Sequence, residues 1–310
     1  MQAAWYSKNG AARDVLTIGD LPTMMPAAGE VRVRLSCSGV NPSDVKSRRS
    51  RPIAGALIVP HSDGAGVIEA VGDDTLRSRI GERVWVWNGQ WQRALGTAAT
   101  SIVVPSGQAV VLPNGTDFAA GACLGIPALT AFQAVHLLGD LRDKTVLVIG
   151  AASAVGYYAA QMAVLAGARV FGTVGSGKRE KHARTAGVEE TINYMTEAVA
   201  ARISALTRGR GVDAIIDMDF SSTAQLLGEG VLARHGVVAC YGSNEMTDIG
   251  IAFRDALFGS QTIRFFLVYD LVPADRQRAL IGVNALLEAD ALKHAVGVIG
   301  NVVIDLPANS

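Results

Sequence analysis

Near residue 120 the period of the apolar positions changes, and the chain divides there. Before it, short alternating runs stand between turn signals. Gly29-Glu30-Val31-Arg32-Val33-Arg34-Leu35 alternates cleanly, and residues 67–71, 81–87 and 100–104 read as further strands, the first bounded by Gly66 and Gly72. Strands this short and regularly spaced predict a small barrel rather than a doubly wound sheet. Residues 117–138 then carry helical spacing. Past them, apolar strands at 146–149, 169–174, 212–218, 236–241 and 262–267 alternate with helices at 155–166, 181–186, 198–207 and 223–232. That alternation predicts a parallel sheet with helices on both faces. A closing helix at 281–291 and a short strand at 301–304 complete the pattern.

The second half is organised around residues 145–178. Strand 146–149 is too short and too β-branched for a helix, and a turn of small residues follows it, Gly150-Ala151-Ala152-Ser153-Ala154-Val155-Gly156. Apolar side chains at helical spacing (Val155, Ala159, Met162, Ala163, Ala166) run to Gly167, and the next strand ends in another glycine-rich turn. Such a βαβ unit offers the N–H groups of a helix start to a dinucleotide pyrophosphate, and small residues let the backbone approach it. The three-glycine fingerprint is incomplete. Ala151 and Ser153 stand where the first two glycines would be, and only Gly156 keeps the last. A turn that merely packs well reads similarly; the strand–turn–helix–strand frame favours a nucleotide.

Composition narrows the classes. At 310 residues with 49% apolar content, the chain has material for two domains. Lysine plus arginine equals aspartate plus glutamate, 28 each, so the charge balance shows no footprint for nucleic acid or a membrane surface. Cys37, Cys123 and Cys240 are odd in number and far apart, without a Cys-x-x-Cys pair, which speaks against a disulfide framework or a structural zinc site. No apolar run is long enough to span a bilayer and the start lacks a basic-then-apolar signal, so a soluble, reducing, cytoplasmic setting is expected.

Several short motifs surround the nucleotide strand in order. They are Gly39-Val40-Asn41-Pro42-Ser43-Asp44, Ser62-Asp63-Gly64-Ala65-Gly66-Val67, Gly81-Glu82-Arg83-Val84, Leu124-Gly125-Ile126-Pro127-Ala128-Leu129-Thr130-Ala131 and Gly300-Asn301-Val302-Val303. Each is common alone; in this order they are specific. With them the chain resembles the medium-chain dehydrogenase/reductase superfamily, in particular its zinc-free quinone oxidoreductase branch, over nearly its whole length. The resemblance implies an α/β protein with two domains. One is an N-terminal GroES-like β-barrel, residues 1–122 completed by 281–310. The other is a Rossmann doubly wound parallel-sheet domain for NADP, residues 123–280. Cofactor and substrate would meet in the cleft between them, and members are commonly homodimers joined through the nucleotide domain.

Zinc-dependent relatives carry a cysteine where this chain has Asn41 and a His-Glu pair where it has Ser62-Asp63. His61 is one residue out of step and reads as a turn or core histidine. Without converging thiolates and imidazoles, no metal site is expected. Asn41 alone reads as a turn residue before Pro42; the resemblance makes it a hydrogen-bond donor facing the nicotinamide or the substrate oxygen. It also places Thr130 beside the nicotinamide ribose and makes Asp44 a residue that fixes the loop. Lys46 stands where many quinone oxidoreductases have a pocket tyrosine. It is either a cation for a developing oxyanion or a solvated surface lysine. Asn41, Lys46 and Thr130 are the candidate catalytic residues, Asn41 and Thr130 touching the cofactor as well.

For the cofactor, Ala152, Ser153, Ala154, Val155 and Gly156 form the expected pyrophosphate turn. An NAD enzyme usually has an acid about 20 positions further on to hold the ribose diol. Here stands Thr173-Val174-Gly175-Ser176-Gly177-Lys178-Arg179, with no acid and two bases. Ser176 and Arg179 match the branch's phosphate-contacting Ser-x-x-Lys with Arg for Lys, and a guanidinium holds phosphate bidentately. Tyr194 matches a residue packing over the same phosphate. A solvated basic helix start is the bland alternative, but NADPH is the expected cofactor. Tyr241-Gly242-Ser243 closes a strand at the edge where ligands bind in such sheets. Phe265-Phe266-Leu267 matches the segment whose backbone holds the carboxamide, and it also reads as a core strand. Asn301 completes the expected cofactor set.

The implied reaction is hydride transfer from NADPH to a quinone or activated α,β-unsaturated carbonyl, with solvent supplying the proton and protein groups stabilising the oxyanion. A non-enzymatic NADPH-binding protein of the same fold is the alternative, kept open by Lys46 and Ser153. Residues 291–301 run almost directly from the closing helix into the last strand, where family members carry an extra helical segment over the substrate cleft.

Overall fold

The computed structural model describes residues 1–307 apart from 54, 246 and 298. Two compact units make up the chain, Met1–Pro127 with Val283–Ser310, and Ala128–Gly282. The first holds β1 (Gln2–Trp5), β2 (Thr17–Asp20), β3 (Glu30–Val40), β4 (Asp63–Val71), β5 (Arg83–Val86), β6 (Ser101–Pro105) and β7 (Ala109–Val111). The second holds β8 (Thr145–Val148), β9 (Arg169–Val174), β10 (Glu190–Asn193), β11 (Val212–Asp217), β12 (Leu232–Cys240) and β13 (Thr262–Phe265). The last strand, β14 (Val302–Asp305), returns to the first unit.

The first unit is built on β3. Val31, Val33 and Leu35 turn inward and are almost fully buried while Arg32 and Arg34 turn outward, the period of two that a half-buried strand requires. The sheet runs β14-β3-β4-β5-β7, with β6 also on β3, all pairs antiparallel. Ile68 of β4, Val84 and Val86 of β5, Ile102 and Val104 of β6 and Ala109 of β7 join the β3 valines in one core, so the strands wrap it. Across β3 and β4, Arg32 Nε donates to Glu69 Oε1 at 2.6 Å. β14 pairs with β3, Val302 opposite Val40 and Asp305 opposite Cys37.

The second unit is a six-stranded sheet of order β10-β9-β8-β11-β12-β13, every pair parallel. All four residues of β8 are buried, as a strand covered on both faces must be. Leu147, Phe171, Ile192 and Ile215 from four strands meet Ile203 of helix Val199–Thr207. Each such side chain contributes about 1.5–3 kcal/mol by leaving water. The strand order reverses between β8 and β11, the doubly wound arrangement.

Three elements differ from the sequence reading. Residues 223–232 are not one helix. A single turn at Phe220–Thr223 passes into a 3-10 turn at Ala224–Leu227, and β12 begins at Leu232. Gly230 between them takes φ +73°, which no helix continues through. The closing helix is Pro273–Glu288, beginning well before residue 281. Its first turns read as polar in sequence, yet Arg276 there is buried. β13 is the edge of the sheet rather than a core strand, leaving Phe265 65% and Leu267 49% exposed. The described residues of 291–301 hold no helix. Asn301 N donates to Ala295 O and Gly297 N to Asn301 O, closing a tight loop into β14.

Candidate functional site

At the end of β8 the chain turns at Gly150, whose φ of +69° is the left-handed region that favours glycine. Gly150 N donates to Thr173 Oγ1 at 2.9 Å, which ties the turn to the end of β9. Ser153 caps helix Ala154–Leu165, its Oγ accepting from Gly156 N at 3.0 Å. A Cβ on Gly156 would collide with the Gly150 carbonyl oxygen, so helix and turn are as close as two backbones allow. Ala152, Ala154 and Val155 complete a small-residue helix start whose dipole favours an anion.

Beside this turn lies a cavity of about 610 Å³, walled by Ile149, Gly150, Thr173, Tyr194, Met218 and Asp219 among others. Its walls are the C-terminal ends of β8, β9, β10 and β11, astride the point where the strand order reverses, which is where ligands bind in open α/β sheets. A Cβ on Gly175 would lie 2.7 Å from the Tyr194 hydroxyl, so these two residues meet. Ser176 next to them caps helix Gly177–Thr185, its Oγ 3.4 Å from Arg179 N, and Lys178 and Arg179 on its first turn are exposed. Asp219 was not visible in the sequence as a site residue. Burial raises its pKa, but hydrogen bonds from Ser221, Ser222 and Asn244 outweigh that and hold the carboxyl below its ordinary value.

A second hollow of about 630 Å³ brings together Tyr241, Gly242, Ser243, Phe265, Phe266 and Leu267, at the ends of β12 and β13. The Tyr241 and Phe266 rings stand 6.1 Å apart, and burial, with the Asp217 carboxylate, pushes the Tyr241 phenol well up against a hydrogen bond with Ser153 that lowers it. Thr130 lies in helix Leu129–Leu137, 2% exposed, with no partner for its Oγ1 among the described residues.

In the barrel unit, Asn41 caps helix Pro42–Ser50. Its N–H donates to Asp44 Oδ2 at 2.7 Å, and its Nδ2 donates to Asp63 Oδ2 at 2.7 Å. Asp63 Oδ2 also accepts from Ile126 N at 3.0 Å, and a Cβ on Gly125 would collide with Asp63 Oδ1. Three motifs distant in sequence therefore meet at one buried carboxyl. Burial pushes the Asp63 carboxyl well up and that of Asp44 up to about 7. The only sign of Asp63 in the sequence is a lone charge among the small residues of Ser62-Asp63-Gly64-Ala65-Gly66. Lys46 is exposed on the Asn41 helix, the position of a surface lysine. His61 is a core histidine, bonded to Ser38 Oγ at 3.0 Å, with burial pushing its pKa down to about 4. Asn301 is 3% exposed, and neither its Oδ1 nor its Nδ2 has a partner among the described residues.

The donors present do not fit zinc. Among the described residues no three His, Cys, Asp or Glu side chains converge as a metal site. Burial, with the Asp305 carboxylate beside it, pushes the Cys37 thiol up to about 12; burial raises Cys123 also and pushes Cys240 up to about 11, as it does for thiols packed in a core. A dinucleotide does fit. Glycine-only contacts shape the turn, and in the same unit the buried Thr130 carries a hydroxyl with no partner among the described residues.

The alcohol dehydrogenase GroES-like domain model matches residues 27–114, and the zinc-binding dehydrogenase model residues 154–283. Quinone oxidoreductase of Pseudomonas aeruginosa is 34% identical over 206 residues, 66% of this chain and 62% of that protein. Its counterpart in Rattus norvegicus is 33% identical over 235 residues, 73% of this chain and 69% of that one. The solved quinone oxidoreductase of Pseudomonas syringae pv. tomato superposes with a TM-score of 0.79 at 26% identity, covering 95% of this chain and 91% of that one. Escherichia coli quinone oxidoreductase complexed with NADPH gives 0.80 at 21% identity, over 94% and 90%, a likeness of fold alone. With the two domain models in order along it and a third of its aligned residues shared with the rat protein, this chain belongs to the quinone oxidoreductase branch of the medium-chain dehydrogenase/reductase superfamily.

Proposed function

We propose that the protein is an NADPH-dependent reductase that passes hydride to a quinone or an activated α,β-unsaturated carbonyl without zinc. The observation that carries the cofactor choice is the end of β9, where Gly175 meets Tyr194 next to Ser176, Lys178 and Arg179, and the run 173–179 holds no acid in the place that takes a ribose diol. NADPH, when bound, supplies the hydride. The turn from Ala152 to Gly156 holds the pyrophosphate, Ser176, Arg179 and Tyr194 the ribose phosphate, and Thr130 and Asn301 satisfy their buried polar atoms on the rest of the cofactor. Tyr241 to Ser243 and Phe265 to Leu267 wall the hollow on the carboxamide side. The Asn41 amide donates to Asp63 and also bonds the Asp44 side chain; in this reading the amide held so meets the substrate oxygen as charge develops there. Asp63 and Asp44 hold that amide still, and solvent returns the proton. In this reading hydrogen bonds, rather than zinc, carry the charge stabilisation.

The protein acts as a homodimer in this reading. β13 is an edge strand with unpaired backbone groups, and Phe253, Leu257, Phe258 and Phe265 are all at least 60% exposed in the same unit. A second copy covers both features at once.

Steady-state oxidation of NADPH and NADH against a panel of quinones and enones tests the reading, with native, chelator-treated and Arg179→Glu protein. NADPH should bind at least about tenfold tighter than NADH, about 1.4 kcal/mol, and Arg179→Glu should erase the difference. Chelation should leave turnover unchanged. Equal affinity for both cofactors refutes the phosphate site, and tight NADPH binding with no turnover on any acceptor identifies a binding protein instead.

A further inference from the structure

The run Lys46-Ser47-Arg48-Arg49-Ser50-Arg51 puts four cations into six residues of a chain whose net charge is zero. Part of this is ordinary: a basic last turn suits the negative end of helix Pro42–Ser50. Arg48 is buried, and its Nε donates to the Gly10 carbonyl at 3.3 Å. Arg51 is different. Its guanidinium lies over the Trp91 indole, 5.5 Å from the ring centroid, and it has no ion pair and no side-chain hydrogen bond among the described residues. Arg142 and Arg169, by contrast, are matched to Asp140 and Glu189.

Arg51 stands on the wall of a cavity of about 180 Å³ that lies wholly within the barrel unit. Ser47, Gln90, Gln92 and Arg93 share that wall, and no acidic residue lines it. Arg93 spends its donors on the Val103 and Asn88 carbonyls and on Gln108, so it adds positive charge but no open fork. Gln90 donates to the Arg93 carbonyl. Gln92 sits at φ +57°, a left-handed conformation that costs a residue with a Cβ about 1–2 kcal/mol. A guanidinium stacked on an indole keeps its in-plane N–H groups pointing sideways, the geometry that takes a carboxylate bidentately. A cation would be repelled from this cavity, and a neutral group would leave the Arg51 charge unmatched.

We propose that this cavity is a carboxylate subsite of the substrate pocket. The molecule reduced carries a carboxylate, held by Arg51 with Ser47 and Gln92 as flanking donors. The inference rests on the reductase reading, and it narrows the substrate class to acidic enones or quinones. From Asn41 to Ser47 the helix rises about 9 Å, so the carboxylate stands several bonds away from the carbonyl that Asn41 meets.

The test is a series of straight-chain enones with a terminal carboxylate, each beside its methyl ester, on native, Arg51→Met and Arg51→Lys proteins. Native protein should prefer the acid by about tenfold in kcat/KM. Arg51→Met should lower the value for the acid alone until it equals that of the ester. Arg51→Lys should fall between, since it keeps the charge and loses the fork. Equilibrium dialysis of the same acids against the three proteins should give the same order without turnover. Acid binding through Arg51 in a protein that reduces nothing therefore overturns the reductase reading and keeps the subsite. Equal handling of acid and ester by native protein, or an acid preference that survives Arg51→Met, overturns the subsite.

Discussion

Asn41 does two things with one side chain: it begins a helix and it holds a donor in place. Its Nδ2 sits 2.7 Å from a fully buried carboxyl, so its orientation is set before any ligand arrives. Losing one donor to a developing oxyanion costs about 3 kcal/mol, roughly a hundredfold in rate. Asn41→Ala should therefore slow single-turnover oxidation of saturating NADPH by a 1,4-quinone to that extent; a change of only a few-fold makes Asn41 scaffold. Asp44 carries a second prediction. Its ordinary value of 3.8 is raised by burial to about 7 in the folded chain. The folded state thus holds a proton that the unfolded state has released between those values. That stability is fully present below 3.8 and is lost as pH rises through about 7, at most about 4 kcal/mol. Asp63, raised by burial too, acts in the same direction. Native protein should melt higher at about pH 5 than at about pH 8, and Asp44→Asn, which keeps a cap acceptor, should shrink the gap. An unchanged pH dependence in that variant removes Asp44 from the account.

At the scale of elements, the close approach of helix Ala154–Leu165 to the end of β8 decides what the turn can bind. Gly156→Ala drives a Cβ into the Gly150 carbonyl oxygen, so the helix start must shift away from the turn and from the pyrophosphate proposed there. Overpacking of this kind costs about 1–3 kcal/mol, and a fluorescence titration should show NADPH weakened at least about tenfold. Gly177→Ala is the contrast. A Cβ there meets nothing within 4 Å, and alanine is the better helix former, so stability should hold or rise slightly. If both substitutions behave alike, the tightness of the first turn is not what shapes the site.

For the whole molecule, the exposed edge of β13 is the feature a single copy leaves open. Sedimentation should give a mass near twice 32.4 kDa, and Phe265→Lys should halve it, because an edge lysine blocks strand pairing and must be desolvated against an apolar face. A native protein that sediments at 32.4 kDa refutes the dimer.

The elements whose period is local were legible in the chain itself. The alternation of Val31, Val33 and Leu35, and the Gly150-to-Gly156 turn between two apolar strands, predict their own conformations because φ/ψ preference and side-chain period act over a few residues. The basic end of β9 was legible for the same reason. Thr262 to Leu267 was not: its apolar run is equally suited to a central strand or an edge, and only the order of the sheet leaves Phe265 outside. Helix Pro273–Glu288 hid its first turns behind polar residues, because burial of Arg276 depends on what packs against it. Asp63 is the clearest case. An aspartate among glycines looks like a turn residue, and it becomes the junction of Asn41 and Ile126 only when strands distant in sequence bring both donors to it. Local pattern determined the elements and the tight turn after β8; long-range packing decided which side chains were buried, which faced one another and which stayed exposed.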